Sequence, residues 1–447
     1  MSNVRYGIGL LGFGTVGSGL YDLLLESKGQ EIQSKHRVSF DVRKILVRDL
    51  KAKRRRDLPE ALVARSFEEI VSDGSVDIVV EVMGGEIPAK DYILASLKAG
   101  KHVVTANKKL MASEGEKLVR CARQYERYFG FAGAVTGCYE FCSSIADAIM
   151  IRGLSGVFNS TSNLILTKME EGLSFEEALK EAQANGYAEA DASEDIDGHD
   201  TRNKLIILAR LAFGASLNRD QIPISGIRNI TQLDMRLARE LGYTIRLLGV
   251  CRPTADGRID ARVHPSFVPL SHPLASVKGI YNGLQVYDAL RGARTYNAIG
   301  AGSTATAMAV MKDLVEISRR GEIIWPNTSL TTLGVKHVKP YSTVRRYYVR
   351  IAAENRPGVL AKISRIFGRH DINISSVIQH GPTTAGPVPV VVMCGPTEER
   401  VLRKSLAEIE ALRNVSTASQ FIRVEDALED NETEDGIASG RTEAVPA

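Results

Sequence analysis

Three glycines, at positions 12, 14 and 17, sit between an apolar run ending at Leu11 and a helical repeat of Leu20, Leu23 and Leu24, in "GLLGFGTVGSGLYDLLLES". This G-x-G-x-x-G constrains the fold more than any other stretch. It predicts a strand, a tight turn and a helix in immediate succession. The first glycine permits the turn. The second lets the backbone approach a pyrophosphate, which the helix N-terminus attracts. In this context the motif signals dinucleotide binding rather than a turn alone. Further along, "VSFDVRKILVRD" (38–49) alternates like a second strand, and "SVDIVVEVMGG" (75–85) and "KHVVTANK" (101–108) read as buried parallel strands. Strands alternating with helical segments imply an α/β, Rossmann-type doubly wound domain.

The second strand ends in Arg48-Asp49. An acid at this place holds the ribose hydroxyls of NAD, whereas an arginine pairs with the 2′-phosphate of NADP. Arg48 comes first and the basic run "KAKRRR" (51–56) follows, so NADP is the expected cofactor, with NAD as the alternative. Most of that run reads as solvated loop.

After residue 150 the pattern changes to mixed α+β. "SFEEALKEAQANGY" (174–187) opens on a capping box, Ser174 with Glu177, and Gly186 stands where a C-terminal glycine closes a helix. The acidic stretch "GYAEADASEDIDGHDTRNK" (186–204) then carries six carboxylates into the apolar "LIILARLAF". Asp200 and Lys204 are four apart and share a helical face. A surface ion pair is the plain reading of that spacing. Leu208 and Leu211 continue the face, however, which implies a partly buried lysine. Burial lowers a lysine pKa and a nearby carboxylate raises it, and such a group can exchange a proton with a substrate hydroxyl. Lys108 ends a strand of the nucleotide domain, where ligands bind, so it is the second candidate, with a solvated loop lysine as the alternative. A substrate ammonium group would suit Glu189 and one of the aspartates. Asp191, Glu194 and Asp197 read as hydrated loop.

The helix in "TATAMAVMKDLVEISRR" (304–320) is expected to return to the first domain. A polar connector follows. From Arg346 the order strand, helix, strand, strand, helix, strand gives a compact βαββαβ unit. Leu360, Ile363 and Phe367 are expected to form the inner face of its first helix, and Leu402, Leu406 and Ile409 that of its second. The expected boundaries are 1–135 for the nucleotide domain, completed by helix 303–322, then 136–302 for a substrate-binding and catalytic domain. A linker at 323–345, a regulatory unit at 346–425 and a disordered acidic tail at 426–447 follow.

The chain of 447 residues is 44% hydrophobic and 25% charged with a net charge of +4, an ordinary soluble profile that gives no reason to expect nucleic acid. Five cysteines, an odd number, argue against a disulfide framework. Cys138 and Cys142 lack a nearby histidine, which argues against zinc. No apolar run approaches the roughly 20 residues that span a bilayer, and the N-terminus lacks a signal-peptide pattern. A cytoplasmic protein is expected, with no membrane partner.

Together, "GLLGFGTVG", "VRD", "MGG", "KHVVTANK", "GYAEAD", the Asp200-to-Lys204 spacing in "GHDTRNK", "HPLASVKGIYN" and "GAG" (300–302) resemble homoserine dehydrogenase over residues 4 to about 425. "ENRPGVLAKISRIF" (354–367) resembles the signature of an ACT domain. The resemblance implies NAD(P)-dependent interconversion of L-homoserine and L-aspartate 4-semialdehyde, towards threonine, methionine and isoleucine. It implies a substrate-binding and dimerisation domain and an ACT domain of a kind that pairs side by side, hence a homo-oligomer, at least a dimer. It implies Lys204 as proton donor or acceptor, held by Asp200, with Lys108 between nicotinamide and substrate. Glu189, Asp195 and Thr161 would contact the substrate. Gly12, Phe13, Gly14, Thr15, Val16, Gly17, Arg48, Gly84, Lys108 and Gly302 would surround the cofactor. The ACT domain implies feedback by an amino acid, most often threonine, with Gly358 in the effector turn.

Three departures stand at the cleft. "FAGAVTGCYE" (131–140) replaces a stretch in which the family holds a sodium ion with a glutamate. Ala132 takes the glutamate position and Cys138-Tyr139-Glu140 replaces Gly-Ile-Pro. The carbonyls of Val135, Gly137 and Tyr139 remain as ligands, but losing the charged one argues against a hard cation. Ser160 replaces a glycine before Thr161, and Ala305 replaces a proline. These changes leave open a paralogue acting on another small amino alcohol or hydroxy acid, or a non-catalytic amino-acid sensor.

Overall fold

The computed structural model describes residues 4–51, 56–135, 139–300, 303–320, 337–338, 341–379, 387–416 and 418–425. The nucleotide domain runs β1 (Val4–Leu11), α1 (Thr15–Leu25), α2 (Ser27–His36), β2 (Val38–Leu46), α3 (Glu68–Val71), β3 (Ile78–Glu81), α4 (Ala89–Lys98), β4 (His102–Thr105), α5 (Lys108–Gln124) and β5 (Phe129–Gly130). The strands form one parallel sheet in the order β2-β1-β3-β4-β5. Ile78, Val79 and Val80 of β3 and Val103 and Val104 of β4 are fully buried, as apolar strands covered on both faces must be. Chain order reverses between β1 and β3, and a ligand crevice opens at the carboxyl ends of strands flanking such a point.

The middle region contributes α6 (Ala132–Val135), α7 (Tyr139–Ala146), β6 (Ile151–Val157), α8 (Ser160–Glu170), α9 (Phe175–Ala184), α10 (Ser193–Ile196), α11 (His199–Phe213), α12 (Gln232–Glu240), β7 (Tyr243–Pro253), β8 (Ile259–Pro269), β9 (Tyr281–Asp288), β10 (Gly292–Ile299) and α13 (Ser303–Arg320). The expected capping box of α9 is present: Glu177 N donates to Ser174 Oγ at 3.2 Å and Ser174 N to Glu177 Oε2 at 2.8 Å. Helix α11 is buried almost all round, from Asp200 to Leu211. Helix α13 does return to the nucleotide domain, packing Ala307, Val310, Met311 and Leu314 with Leu20 and Leu23 of α1.

The C-terminal unit runs β11 (Val344–Glu354), α14 (Val359–Arg369), β12 (Ile374–Gln379), β13 (Pro387–Glu398), α15 (Glu399–Glu410) and β14 (Gln420–Val424), the βαββαβ order read from the sequence. The inner face of α14 is Val359, Ile363, Ile366 and Phe367. Leu360 is 37% exposed, a correction to the expected face: positions 359 and 360 both stand at helical spacing from Ile363 and Phe367, and Val359 is the one buried. This unit is not an independent sheet. Strand β14 pairs in parallel with β8, setting Arg423 against Ser266 and Val424 against Phe267, and nine strands run continuously as β10-β9-β6-β7-β8-β14-β11-β13-β12. Within the expected linker, His337 bridges Ile259 and Val338 N donates to Ile259 O at 3.0 Å. Residues 321–336, 339–340 and the tail 426–447 lie outside the described residues.

Asp313 of α13 is fully buried and accepts from Ala132 N at 3.0 Å and from Tyr128 Oη at 3.4 Å. Burial pushes its carboxyl up to about 7. A folded-state value above the unfolded one means that stability is greatest at low pH and declines as pH rises through the folded value. The wild type is expected to lose unfolding free energy relative to Asp313→Asn as pH rises from 3.8 to about 7 and to level off above that, measured by denaturant titration at several pH values.

Candidate active site

Gly12 has φ +103°, and a side chain there would also meet Val82 O at 2.8 Å. Gly17 lies against the turn, where a Cβ would come within 2.3 Å of Gly12 O. Both glycines are demanded by the protein's own packing. Gly14 is different. No protein atom lies within 4 Å of where its Cβ would be, and it begins α1 with no side-chain cap and no acid in the first turn. Open space beside uncapped helix N–H groups is what a pyrophosphate needs. Phe13 is buried against Tyr21, while Thr15 and Val16 form the first turn of α1. Gly84, at φ +73°, also faces open space. A crevice of about 670 Å³ is lined by Gly12, Gly14, Gly84 and, at its far side, the exposed Arg48. These residues fit a dinucleotide. Arg56 of the basic run pairs with Asp22 and covers the Tyr21 ring, and residues 52–55 and Gly302 lie outside the described residues.

Across the cleft, α11 and α5 bring the charged groups together. Asp200 is 4% exposed and shares its carboxylate between two lysines from different domains. Lys204 Nζ donates to Oδ2 at 2.7 Å and Lys108 Nζ to Oδ1 at 2.5 Å. Lys204 also donates to the Phe158 carbonyl at the end of β6, at 2.6 Å. Burial penalises charge on Asp200, yet Lys204 and Lys108 outweigh it and hold its carboxyl well below the usual range. Burial lowers Lys204, Asp200 partly restores it, and Lys108 lowers it again. Lys108, half-exposed, is raised by Asp200. The ammonium of Lys204 has three donors and two have partners among the described residues, leaving one for a ligand oxygen.

Asn159 was not legible as a site residue. Its Nδ2 donates to Asp195 Oδ1 at 2.6 Å and to Asp200 Oδ2 at 2.9 Å, while its Oδ1 caps α8 by accepting from Ser162 N at 2.8 Å. An asparagine before "STS" carries an N-cap signal, the only trace of it in the sequence. Burial and the neighbouring Asp200 raise the carboxyl of Asp195. Thr161 Oγ1 donates to Tyr187 O at 2.8 Å, and Ser160 is buried beside it. Glu189 stays exposed on the loop, its carboxylate without a hydrogen-bond partner among the described residues. The remaining acids are less idle than hydrated loop: Asp191 accepts from Ser193 N, Glu194 pairs with Lys109 at 3.0 Å and Asp197 with Arg228 at 2.5 Å.

Glu81, also missed, closes β3. Its buried carboxyl accepts from Thr105 Oγ1 at 2.6 Å and Met83 N at 2.8 Å. Asn107, the N-cap of α5, donates to Gly85 O at 2.5 Å. The loop bearing Gly84 and the helix bearing Lys108 are thereby tied. Val135 ends α6 and Tyr139 begins α7, with Gly137 outside the described residues. Among the described residues no group of three or more His, Cys, Asp or Glu is placed to hold a metal, and no helix is long and apolar enough to cross a membrane.

A parallel switch-point crevice beside a buried lysine–carboxylate–lysine cluster defines a nicotinamide-dependent dehydrogenase of hydroxyl and carbonyl groups. Comparison narrows the class. Residues 140–315 match the homoserine dehydrogenase family model, residues 12–132 the model "Homoserine dehydrogenase, NAD binding domain", and 347–413 the ACT domain. A homoserine dehydrogenase of Neisseria gonorrhoeae is 36% identical over 430 residues, covering 94% of this chain and 98% of that one. One from Synechocystis is 36% identical over 431 residues, covering 93% and 99%. The solved homoserine dehydrogenase of Thiobacillus denitrificans superposes with a TM-score of 0.84 at 34% identity, covering 94% and 98%. The chain belongs to the homoserine dehydrogenase family.

The two kinds of glycine predict different failures. Gly17→Ala should lower the melting temperature, because its Cβ meets backbone. Gly14→Ala should keep the wild-type melting temperature and raise the KM for the cofactor roughly tenfold, a loss of about 1.4 kcal/mol, in steady-state kinetics.

Proposed function

We propose that Lys204 carries the proton in the interconversion of L-homoserine and L-aspartate 4-semialdehyde, and that NADP is the preferred cofactor. The observation that supports this most strongly is the Asp200 carboxylate held between Lys204 and Lys108. The completeness of that set favours catalysis over a purely sensing role. A nicotinamide cofactor held along the crevice of Gly12, Gly14, Gly84 and Arg48 would supply the hydride acceptor for the alcohol carbon and the hydride donor for the aldehyde carbon. In oxidation, neutral Lys204 takes the hydroxyl proton of homoserine. In reduction, charged Lys204 gives that proton to the aldehyde oxygen. Asp200 fixes the ammonium, Asp195 and Glu189 attract the substrate amino group, Thr161 bounds the pocket, and Lys108 lies between the reacting groups. Ala132 stands where the family carries its glutamate, which speaks against sodium at the carbonyls of Val135, Gly137 and Tyr139.

Lys204→Ala should lower kcat for homoserine oxidation by about 100-fold or more. A purified Lys204→Ala variant with wild-type turnover would sink the assignment. Because burial lowers Lys204, the oxidation rate should rise with pH on a limb centred below 10.5, and the reverse reaction should lose rate over the same range. In Asp200→Asn the attraction that raises Lys204 is gone, so the limb should move to lower pH, read from kcat–pH profiles.

Arg48 supports NADP by its place on the crevice wall. Losing one charge-assisted pair costs about 1.5–3 kcal/mol, so Arg48→Ala should lower kcat/KM for NADP by roughly tenfold or more and leave that for NAD unchanged. Equal loss with both cofactors would refute the role.

The C-terminal unit is proposed to take an amino-acid effector, threonine by the family's usual pattern, at the turn of Gly358. That glycine begins α14 at φ +85° and faces open space. Threonine should reduce the initial rate, and an unchanged rate across threonine, lysine, methionine and isoleucine would end the feedback reading. Division at 1–135, 136–302 and 346–425, a cytoplasmic location and a homo-oligomer complete the proposal.

A further inference from the structure

The catalytic lysines stand on helices of different domains, Lys108 at the start of α5 and Lys204 in the second turn of α11. A lysine side chain is long and flexible, so the ion pairs alone set the distance between the helices poorly. A stiffer contact lies further along both. Arg210 of α11 is 5% exposed, and its guanidinium donates to Met111 O at 2.6 Å through Nη1 and to Ala112 O at 3.3 Å through Nη2. Both acceptors belong to the first turns of α5. None of its hydrogen bonds goes to a carboxylate among the described residues, and burial lowers it with only Glu116 acting through space in the other direction.

A buried cation without a paired acid is unfavourable. So is a glycine in the interior of a helix, yet α5 carries Gly115 in its second turn. One geometry accounts for both. A Cβ at Gly115 would come within 2.5 Å of Arg210 Nη1, so the glycine makes the notch that admits the guanidinium. The planar fork then clamps two successive carbonyls of α5, which fixes rotation as well as separation.

We propose that Arg210, seated in the Gly115 notch, is a positioning residue: a strut across the domain junction that sets the reach of Lys108 to the Asp200–Lys204 pair. This rests on the proposed roles of the two lysines. It adds a residue that touches neither substrate nor cofactor and has no signal in the sequence beyond an arginine in an apolar run.

The test compares Arg210→Met, Arg210→Lys, Gly115→Ala and the double variant Arg210→Met with Gly115→Ala, in the full chain. Misplacement of reacting groups by about 1 Å costs up to ~100-fold in rate. Arg210→Met and Gly115→Ala are each expected to lower kcat by roughly 10- to 100-fold, with the KM for cofactor unchanged. Arg210→Lys, which keeps the charge and loses the fork, should fall between. The double variant should be no slower than the worse single one, because both remove the same strut. The rising limb of oxidation should move to higher pH, since a withdrawn Lys108 no longer lowers Lys204. Folded Arg210→Met or Arg210→Lys with wild-type kcat and an unmoved limb overturns the strut. So do single effects that multiply in the double variant, or a lowered melting temperature with unchanged turnover. Failure of the lysine assignment is separate: it shows as retained turnover in Lys204→Ala.

Discussion

One buried carboxylate holds the active centre together. Asp200 lies at the head of α11, receives a lysine from its own helix and another from the nucleotide domain, and shares Asn159 with Asp195. Its burial would be untenable unpaired. The two ammonium groups offset the lost hydration, and in doing so they become defined in position. Lys204 is held at the junction of three elements, because Phe158 O at the end of β6 accepts a second hydrogen bond from its ammonium group. The same desolvation that makes the cluster depend on its pairs also lowers Lys204 from the ordinary lysine value.

Much of this was legible in the sequence, for physical reasons that differ by element. The glycine turn is largely local: Gly12 is required by its own positive φ and Gly17 by the Gly12 carbonyl of the same strand–turn–helix unit, and only the approach of Val82 to Gly12 comes from elsewhere. The Asp200–Lys204 pair is local too, since four residues on a helix meet by geometry. The βαββαβ order followed from short-range periodicity. Lys108 meeting Asp200 was not local, as 92 residues separate them; the resemblance implied a place for each at the site, but neither it nor the spacing paired them.

What stayed hidden is long-range and mostly neutral. Asn159 looks like a helix cap and is one, but its amide also bridges two aspartates brought in by the later helices α10 and α11. Glu81 looks like a polar interruption of an apolar strand until Thr105 and the Met83 amide close around it. Leu360 was misassigned because a helical face drawn from three positions leaves the phase uncertain by one residue. The joining of the C-terminal sheet to the catalytic one had no sequence signal, since edge-to-edge pairing involves only backbone groups.

That joining bears on how such a chain can be divided. The outer edge of β8 is shared end to end by three unrelated segments. Val338 N meets Ile259 O at 3.0 Å, Ser225 N meets Val263 O at 2.9 Å, and Glu425 N meets Phe267 O at 2.9 Å. Tyr348 stacks on Phe267 and donates to Asp234, which also takes Arg350 and caps α12. Cutting away the C-terminal unit would therefore not leave a tidy enzyme lacking only its sensor. It would uncover part of the outer edge of β8, whose other edge stays on β7, and bare main-chain groups that pair readily with any passing chain. A shortened version of this protein is one that invites aggregation, so the sensing unit also acts as the lid on a sticky edge.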